Sequence, residues 1–339
     1  MQKEPRAITL ADLAREAGVS AGTVSRALSD GNLVNKATRE RIRALAAERN
    51  YQPNMLARNL RTRKTGAVAV VIPLGHEQEQ HLSDPFFTVM LGYLADELSE
   101  RGQDLLLSRI VPSGPDWLAR YIDGGRVDGV IVIGQSNQSD ALSVAADRYA
   151  PLMVWGAKRE GQRYCTVGSD NRVGGLIAAV HLFERGCKSI AFFGDPSAPE
   201  IELRFEGCKA GCHAAGMKNA VQMLPTHLTA DSAYATICAF LDAGNLPDGI
   251  VAATDVIAMS ALRALSERGI AVPDRVKVTG YDDLGFASHT SPPLTTVRQD
   301  IELSAKHLVG SLFKRIAGEA TESVVLSPRL VVRESTGGL

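Results

Sequence analysis

No apolar run in this 339-residue chain approaches the roughly eighteen residues that a membrane helix needs, and the opening MQKEPRAITLAD lacks the hydrophobic core of a signal peptide. The expectation is a cytoplasmic protein. Cysteine is scarce: Cys165, Cys187, Cys208, Cys212 and Cys238 are an odd number, scattered through the second half, and read as reduced, mostly buried thiols. Cys208 and Cys212 have His213 beside them, yet zinc pairs are usually closer in sequence and come with a second pair. The seven histidines form no catalytic or metal-binding spacing. There is no Walker-type phosphate loop, no HExxH helix and no G-x-S-x-G elbow, the strand-to-helix turn that presents a hydrolase serine. These absences count against an enzyme, a metal site and a cofactor. The RESTGGL tail has no leucine heptads, which favours a dimer over a tetramer.

Net charge is also small, at −1, but it is unevenly placed. Residues 1–64 hold thirteen Lys/Arg against six Asp/Glu, leaving +7 there and −8 in the remainder. A basic head on an acidic body fits a polyanion-binding module joined to a second domain. The length allows roughly two or three domains, with a core large enough to carry a cleft.

The head is organised by TLADLAREAGVSAGTVSRAL, residues 9–28. Leu10, Leu13, Ala14 and Ala17 fall at helical spacing, Gly18 breaks the helix, and Ser20 is placed to cap a second one carrying Val24, Ala27 and Leu28. Two short helices joined by a glycine-containing turn are a helix-turn-helix, whose second helix fits the DNA major groove; the same pattern also fits a core helical hairpin. A third helix is expected from Lys36 to Arg49, with Ile42, Leu45 and Ala46 inward and Arg39, Arg41, Arg43 and Arg49 solvated or reaching phosphates. Beyond Pro53, Met55 to Gly66 spells about two helical turns with Leu56 and Leu60 on one stripe. A helix that short is marginal alone, so it orders only when something packs on it; otherwise the segment is a basic linker.

From Ala67 apolar runs alternate with helical patterns. Strands are expected at 67–73, 104–108, 128–134 and 151–155, with helices at 86–101, 115–123 and 139–149 between them. After VGSDN the pattern restarts, with strands at 188–194, 221–225, 248–253 and 275–282 and helices at 171–185, 202–215, 231–243 and 256–268. Continuous apolar strands each followed by a helix indicate buried parallel sheets. The tail SPPLTTVRQD leads into a helix over 301–317 and the strand-like SVVLS and RLVVRES. If that helix rejoins the first sheet, the chain crosses between lobes more than once, and residues just after the strands line a hinged cleft.

These segments, in order, resemble the lactose-repressor (LacI/GalR) family of bacterial transcription regulators over essentially the whole chain. The resemblance rests on TLADLAREAGVSAGTVSRAL, ERIRALAAERNYQPNMLARNLRTRKTG, DPFF, VGSDNRVGG, TDVIA, GYDD and SPPLTTVRQD. It implies an all-α helix-turn-helix head plus an α/β body of two doubly wound parallel-sheet subdomains, similar to periplasmic sugar-binding proteins. The implied division is a head at 1–50, a hinge helix and linker at 51–66, and a body at 67–339. Within the body the first subdomain takes about 67–166 plus 295–322 and the second about 167–290 plus 323–339. Such proteins are homodimers or tetramers that bind palindromic double-stranded operator DNA and answer to small effectors, commonly sugars.

Carried over by motif position, Ala21, Gly22, Thr23 and Arg26 begin the recognition helix, with Arg26 suited to guanine O6 and N7. Thr9, Ser20, Thr23, Ser25, Asn50 and Tyr51 are expected at phosphates. Leu60 falls at the family's minor-groove wedge, with Ala57 allowing close helix approach and Arg58 reaching groove or backbone. The same transfer puts Asp84, Phe86, Arg204, Asp255 and Asp282 at the effector cleft; strand position alone adds Gln135 and Trp155. Arginine and aspartate suit adjacent sugar hydroxyls, and Phe86 and Trp155 offer a flat face to a pyranose ring. Asp84 and Asp255 are equally suited to capping the helices that follow, and Phe87 reads as core. The chain has Thr254 where many members carry asparagine and Trp155-Gly156 where an acidic residue commonly follows the strand. The first expectation is a repressor released by a glucoside or other oligosaccharide; the second is a corepressor of purine type that tightens DNA binding. A transport solute-binding protein fits residues 67–339 but not the basic head.

Overall fold

The computed structural model of the chain describes residues 8–28, 34–51, 64–75, 80–216 and 221–338, and the structural statements below concern those residues. The chain divides into two units, Met1–Thr65 and Gly66–Leu339.

In the first unit, helix α1 (Leu10–Ala17) opens with a reciprocal capping box: the Thr9 hydroxyl accepts from Asp12 N, and the Asp12 carboxylate accepts from Thr9 N at 3.1 Å. Gly18, at φ 65°, ends it in the left-handed conformation. Ser20 Oγ then accepts from Thr23 N at 3.1 Å and starts α2 (Ala21–Leu28), and Asn35 does the same for α3 (Lys36–Glu48). The string Gly18-Val19-Ser20-Ala21-Gly22 thus spells G-x-S-x-G, but it joins two helices and its serine is spent as a cap. Leu13, Val24, Ala27 and Ile42 are fully buried between the three helices.

So small a core is reinforced by charged side chains at helix ends. Arg41 Nη2 donates to Ala17 O at 2.8 Å, Arg43 Nε to Ala27 O at 3.4 Å, and Arg49 pairs with Glu16. Three of the four arginines expected to stay solvated or reach phosphates therefore already serve the fold. The expected hinge residues Ala57, Arg58 and Leu60 lie outside the described residues.

The second unit begins β1 (Ala67–Pro73), α4 (Pro85–Ser99), β2 (Asp104–Ile110), α5 (Ala119–Ile122), β3 (Gly129–Ile133), α6 (Ser139–Arg148), β4 (Leu152–Trp155), β5 (Cys165–Ser169). It continues α7 (Asn171–Glu184), β6 (Ile190–Phe193), α8 (Pro199–Ala214), β7 (Val221–Leu224), α9 (Ala230–Asp242), β8 (Gly249–Ala252), α10 (Asp255–Glu267), β9 (Lys277–Asp282). It closes with β10 (Thr295–Arg298), α11 (Ile301–Ile316), β11 (Val324–Leu326) and β12 (Arg329–Val331).

Two six-stranded sheets result, ordered β2-β1-β3-β4-β5-β11 and β7-β6-β8-β9-β10-β12. The same winding is used twice. All pairings in the first sheet are parallel, as are those in the second except β10 with β12. In β1, alternate side chains feed opposite faces: Val68, Val70 and Ile72 pack with α4 and α11, whereas Ala69 and Val71 pack with residues from α5 and α6. Burial on both faces is why this strand reads as an unbroken apolar run. A separate core of aliphatic and phenylalanine side chains fills the second lobe.

The chain crosses between the sheets three times, after β5, after β10 and after β11. The subdomain divisions expected at 166/167, 295 and 322/323 therefore move. Residues 165–169 and 324–326 pair within the first sheet, and 295–298 pair within the second. Strands β5 (CTVGS) and β10 (TTVR) escaped the sequence pattern because they are short and rich in threonine and other small or polar residues. The helix expected at 115–123 shrinks to α5, flanked by Gly114-Pro115 and Gly124-Gly125, and α8 starts three residues earlier than expected, with Pro199 at its first turn.

Candidate functional site

Both sheets direct their carboxyl ends at one cleft between the lobes. The chain leaves β1 through Leu74, β3 through Gly134 and Ser136, β8 through Thr254 and β9 through Asp282, and all five residues line it. In each sheet the winding reverses between the first strand and the third, β1 and β3 or β6 and β8, which is where open α/β sheets bind ligands. Two of the cleft residues are also helix caps. Asp84 Oδ1 accepts from Phe86 N at 2.9 Å and caps α4, and Thr254 Oγ1 accepts from Ile257 N at 3.2 Å and caps α10.

Arg204, on α8, is held from three directions. Its Nε donates to Asn171 Oδ1 at 2.8 Å, its Nη1 donates to Ala253 O at 2.6 Å, and its guanidinium lies 3.6 Å from the Tyr281 ring centroid. The close crossing of α7 and α8 sets this position. A Cβ on Gly175 would stand 1.9 Å from Arg204 O, and one on Gly207 the same distance from Arg172 O, so both sites require glycine. Asp282 sits at the end of β9 with φ 117°, a strained value for a non-glycine residue, and Oδ1 accepts from Gln299 Nε2 at 2.5 Å.

Burial raises the Asp282 carboxyl to about 7, with Asp84 pushing the same way and Arg204 and Gln299 opposing. Burial also raises Asp84, against the hydrogen bonds from Gln80 and the Phe86 amide. Across the cleft Phe86 and Trp155 form an apolar shelf, ring centroids 4.7 Å apart and tilted at 45°.

Of the seven expected effector residues, the structure brings five to this cavity: Asp84, Phe86, Trp155, Arg204 and Asp282. Phe87, read as core, is buried and also borders it. Gln135 and Asp255 do not line it. Gln135 is turned inward, its Nε2 donating to Ala157 O at 2.6 Å and its Oε1 accepting from Tyr164 OH at 2.6 Å. Asp255 is fully buried behind the wall, accepting from Thr296 Oγ1 at 2.5 Å and Leu284 N at 2.8 Å; burial and the neighbouring Asp282 raise its carboxyl strongly. It caps nothing and instead ties the β9–β10 region together.

Sequence reasoning missed Gln80, Glu200, Thr254 and Gln299, all on the wall. Gln80 Nε2 donates to Asp84 Oδ2 at 3.2 Å, and Glu200 Oε1 accepts from Gln135 Nε2 and Ala157 N of the opposite lobe, both at 3.1 Å. Gln299 directly follows β10 and Thr254 lies two residues past β8, a signal that was present. No group of three His, Cys, Asp or Glu residues suited to a metal occurs among the described residues.

On the head, Ala21, Gly22 and Arg26 are exposed on α2, and Thr23 and Ser25 are half-buried. Arg26 Nη2 would stand 3.8 Å from a Cβ at Gly22, so the side chain runs back along the open start of the helix. The Thr9 and Ser20 hydroxyls are engaged locally, with Asp12 and with Thr23 respectively. Asn50 turns the chain at φ 48°, and Tyr51 N donates to Ala46 O at 2.8 Å.

Residues 9–54 match the family described as bacterial regulatory proteins, lacI family, and residues 179–336 match the periplasmic binding protein-like domain. The HTH-type transcriptional regulator CelR of Thermobifida fusca is 35% identical, over 96% of this chain and 98% of the relative. The HTH-type transcriptional repressor PurR of Histophilus somni (strain 129Pt) is 27% identical, over 96% and 98%. Among solved structures, the lac repressor dimer bound to operator and the anti-inducer ONPF superposes with a TM-score of 0.85 at 26% identity, covering 98% of this chain and 99% of that one. A CelR–cellobiose complex gives a TM-score of 0.68 at 34% identity, covering 97% and 99%.

Proposed function

Because the chain belongs to the lacI family of bacterial regulatory proteins, we propose that it is a repressor released from a palindromic operator by a small sugar, of glucoside type, held in the interlobe cleft. That it is a DNA-binding transcriptional regulator, and not an enzyme, follows from the family itself. The observation that carries the effector reading is the pairing of surfaces in the cleft. The Phe86–Trp155 shelf offers one ring face a partner, and Asp84, Asp282 and Arg204 offer acceptors and donors to the hydroxyls around its rim. The CelR–cellobiose complex supports the same class of ligand.

The head reads the operator through Arg26 in the major groove, with Ala21 and Gly22 leaving room beside it. Thr9, Ser20, Thr23, Ser25, Asn50 and Tyr51 face phosphates, and Ala57, Arg58 and Leu60 belong to the segment that couples body to head. The operator-bound lac repressor dimer supports a homodimer. The head is taken as 1–50, the coupling segment as 51–66 and the body as 67–339.

The PurR relative and the amide side chains of Gln80 and Gln299 on the wall favour a second reading, a purine corepressor. A thermal-shift screen across glucosides and nucleobases decides, since a ligand at a hundred times its dissociation constant adds about 2.7 kcal/mol to the native state. A glucoside is expected to raise Tm and to weaken operator binding by about 1–3 kcal/mol. A shift with nucleobases alone, or tighter operator binding with the ligand, overturns the inducer reading.

A further inference from the structure

Three carboxylates, Asp84, Glu200 and Asp282, line the cleft, and among the described lining residues Arg204 is the sole cation. Much of that guanidinium's capacity is committed to Asn171, Ala253 and the Tyr281 ring. Gln80 and Gln299 donate to Asp84 and Asp282, and Glu200 accepts from an amide side chain and a backbone N–H. None of these donors carries charge. The cavity is therefore supplied with acceptors for hydroxyl or amine donors and is poor in donors for an anion. Asp84 already opposes the ionisation of Asp282, so the site resists added negative charge.

From this charge arrangement, and resting on the sugar reading above, we propose that the cleft is a filter against anionic ligands: it takes an unphosphorylated, non-acidic saccharide and rejects the same sugar bearing a phosphate or a carboxylate. Glu200 is the specificity-determining residue beyond the strand-end carboxylates. It reaches from the first turn of α8 to the opposite lobe, where it accepts from Gln135 Nε2 and Ala157 N. The effector is then the sugar as it stands before any phosphoryl-transfer step has reached it.

The test has two arms. In the first, calorimetry compares cellobiose with cellobiose 6-phosphate, and glucose with glucose 6-phosphate, on the full chain. The phosphorylated member is expected to bind about a hundred-fold or more weakly, the scale for a charged group set among carboxylates at an effective dielectric constant of about 20. Glu200→Gln keeps an acceptor for Gln135 and Ala157 while removing the charge, and is expected to recover about tenfold for the phosphorylated member. Equal or tighter binding of a phosphorylated member overturns the filter.

The second arm needs no effector. The chain has two tryptophans, and Trp117→Phe leaves Trp155 on the cleft wall as the reporter. Iodide is expected to quench Trp155 several-fold less than caesium, each normalised to free indole, with Glu200→Gln restoring part of the iodide quenching. Normalised iodide quenching equal to or above that of caesium overturns the proposal. If no saccharide binds at all, the sugar reading fails while the quenching ratio still decides the filter.

Discussion

Replacing Arg204 by leucine removes the one cation on the cleft wall among the described residues and exposes how it is held. Two buried acceptors, Asn171 Oδ1 and Ala253 O, lose donors at 2.8 and 2.6 Å. Each acceptor left unpaired costs about 1–3 kcal/mol, and loss of a desolvated guanidinium–ring contact such as that on Tyr281 costs about 2 more. Against this, leucine no longer has to bury a charge, and Asp282, raised to about 7 with Arg204 opposing, is more readily neutral without it. The balance should be a destabilisation of about 3–5 kcal/mol, the range for removing one member of a buried charged network. Arg204→Lys keeps a charge near Asp282 but cannot span both acceptors, so it should fall between leucine and wild type. Urea unfolding at fixed pH reads both, with an unchanged m-value confirming that stability and not compactness has changed. If the leucine variant unfolds within about 1 kcal/mol of wild type, or if lysine is no better than leucine, the guanidinium does not organise this wall in the way described.

Asp282 makes a pH prediction. Its folded value of about 7 lies above the ordinary value of 3.8, so the folded protein holds an extra proton between them; this contribution is full below about pH 4 and is lost as pH rises through 7. Asp282→Asn should flatten the fall in stability between pH 5 and pH 8 seen by urea unfolding; an unchanged slope would assign it elsewhere. Gly207→Ala would put a methyl group 1.9 Å from Arg172 O and 2.9 Å from Leu176 N, both backbone, so α7 must move; a loss of about 3 kcal/mol or more is expected in chemical denaturation. Arg26→Ala should weaken operator binding by about 1–3 kcal/mol without lowering Tm. An equal loss on non-operator duplex would make Arg26 a phosphate contact instead.

The fold was legible where the two patterns of burial are strict. Strand β1 spans 67–73 as its apolar run implies, because both faces are buried and no polar residue interrupts them. Helix α11 at Ile301–Ile316 has one apolar stripe, Ile301, Ala305, Leu308, Val309 and Leu312, pressed on the first sheet. Strands β5 and β10 were not legible because small and polar residues, threonine in both and glycine and serine in β5, interrupt their apolar pattern. Their backbone N–H groups are satisfied by hydroxyls far along the chain: Thr295 N donates to Ser335 Oγ at 2.8 Å, and Thr166 N to Ser323 Oγ at 3.0 Å. Such pairings have no local signature, and they displaced the expected subdomain boundaries.

The cleft divides in the same manner. A cleft residue that caps a helix announces itself, as Asp84 does by preceding Pro85, because local capping chemistry and the wall of the site coincide there. Which way a neighbouring side chain turns is a tertiary matter. Gln135 lies two residues beyond β3, but Gly134 at φ 88° and Ser136 at φ 47° bend the chain around it and deliver its amide to Ala157 and Tyr164. Asp255 is one residue beyond the capping Thr254, and that single step sends its carboxylate behind the wall to Thr296 and Leu284. Glu200 was hidden for a simpler reason. A helix begun at 202 leaves it in a loop, whereas Pro199 in the first turn draws the start back and turns Glu200 toward Gln135 and Ala157 of the other lobe. The residue on which the cleft's charge preference turns is thus set by a three-residue shift in a helix start, an error within the ordinary uncertainty of helix ends.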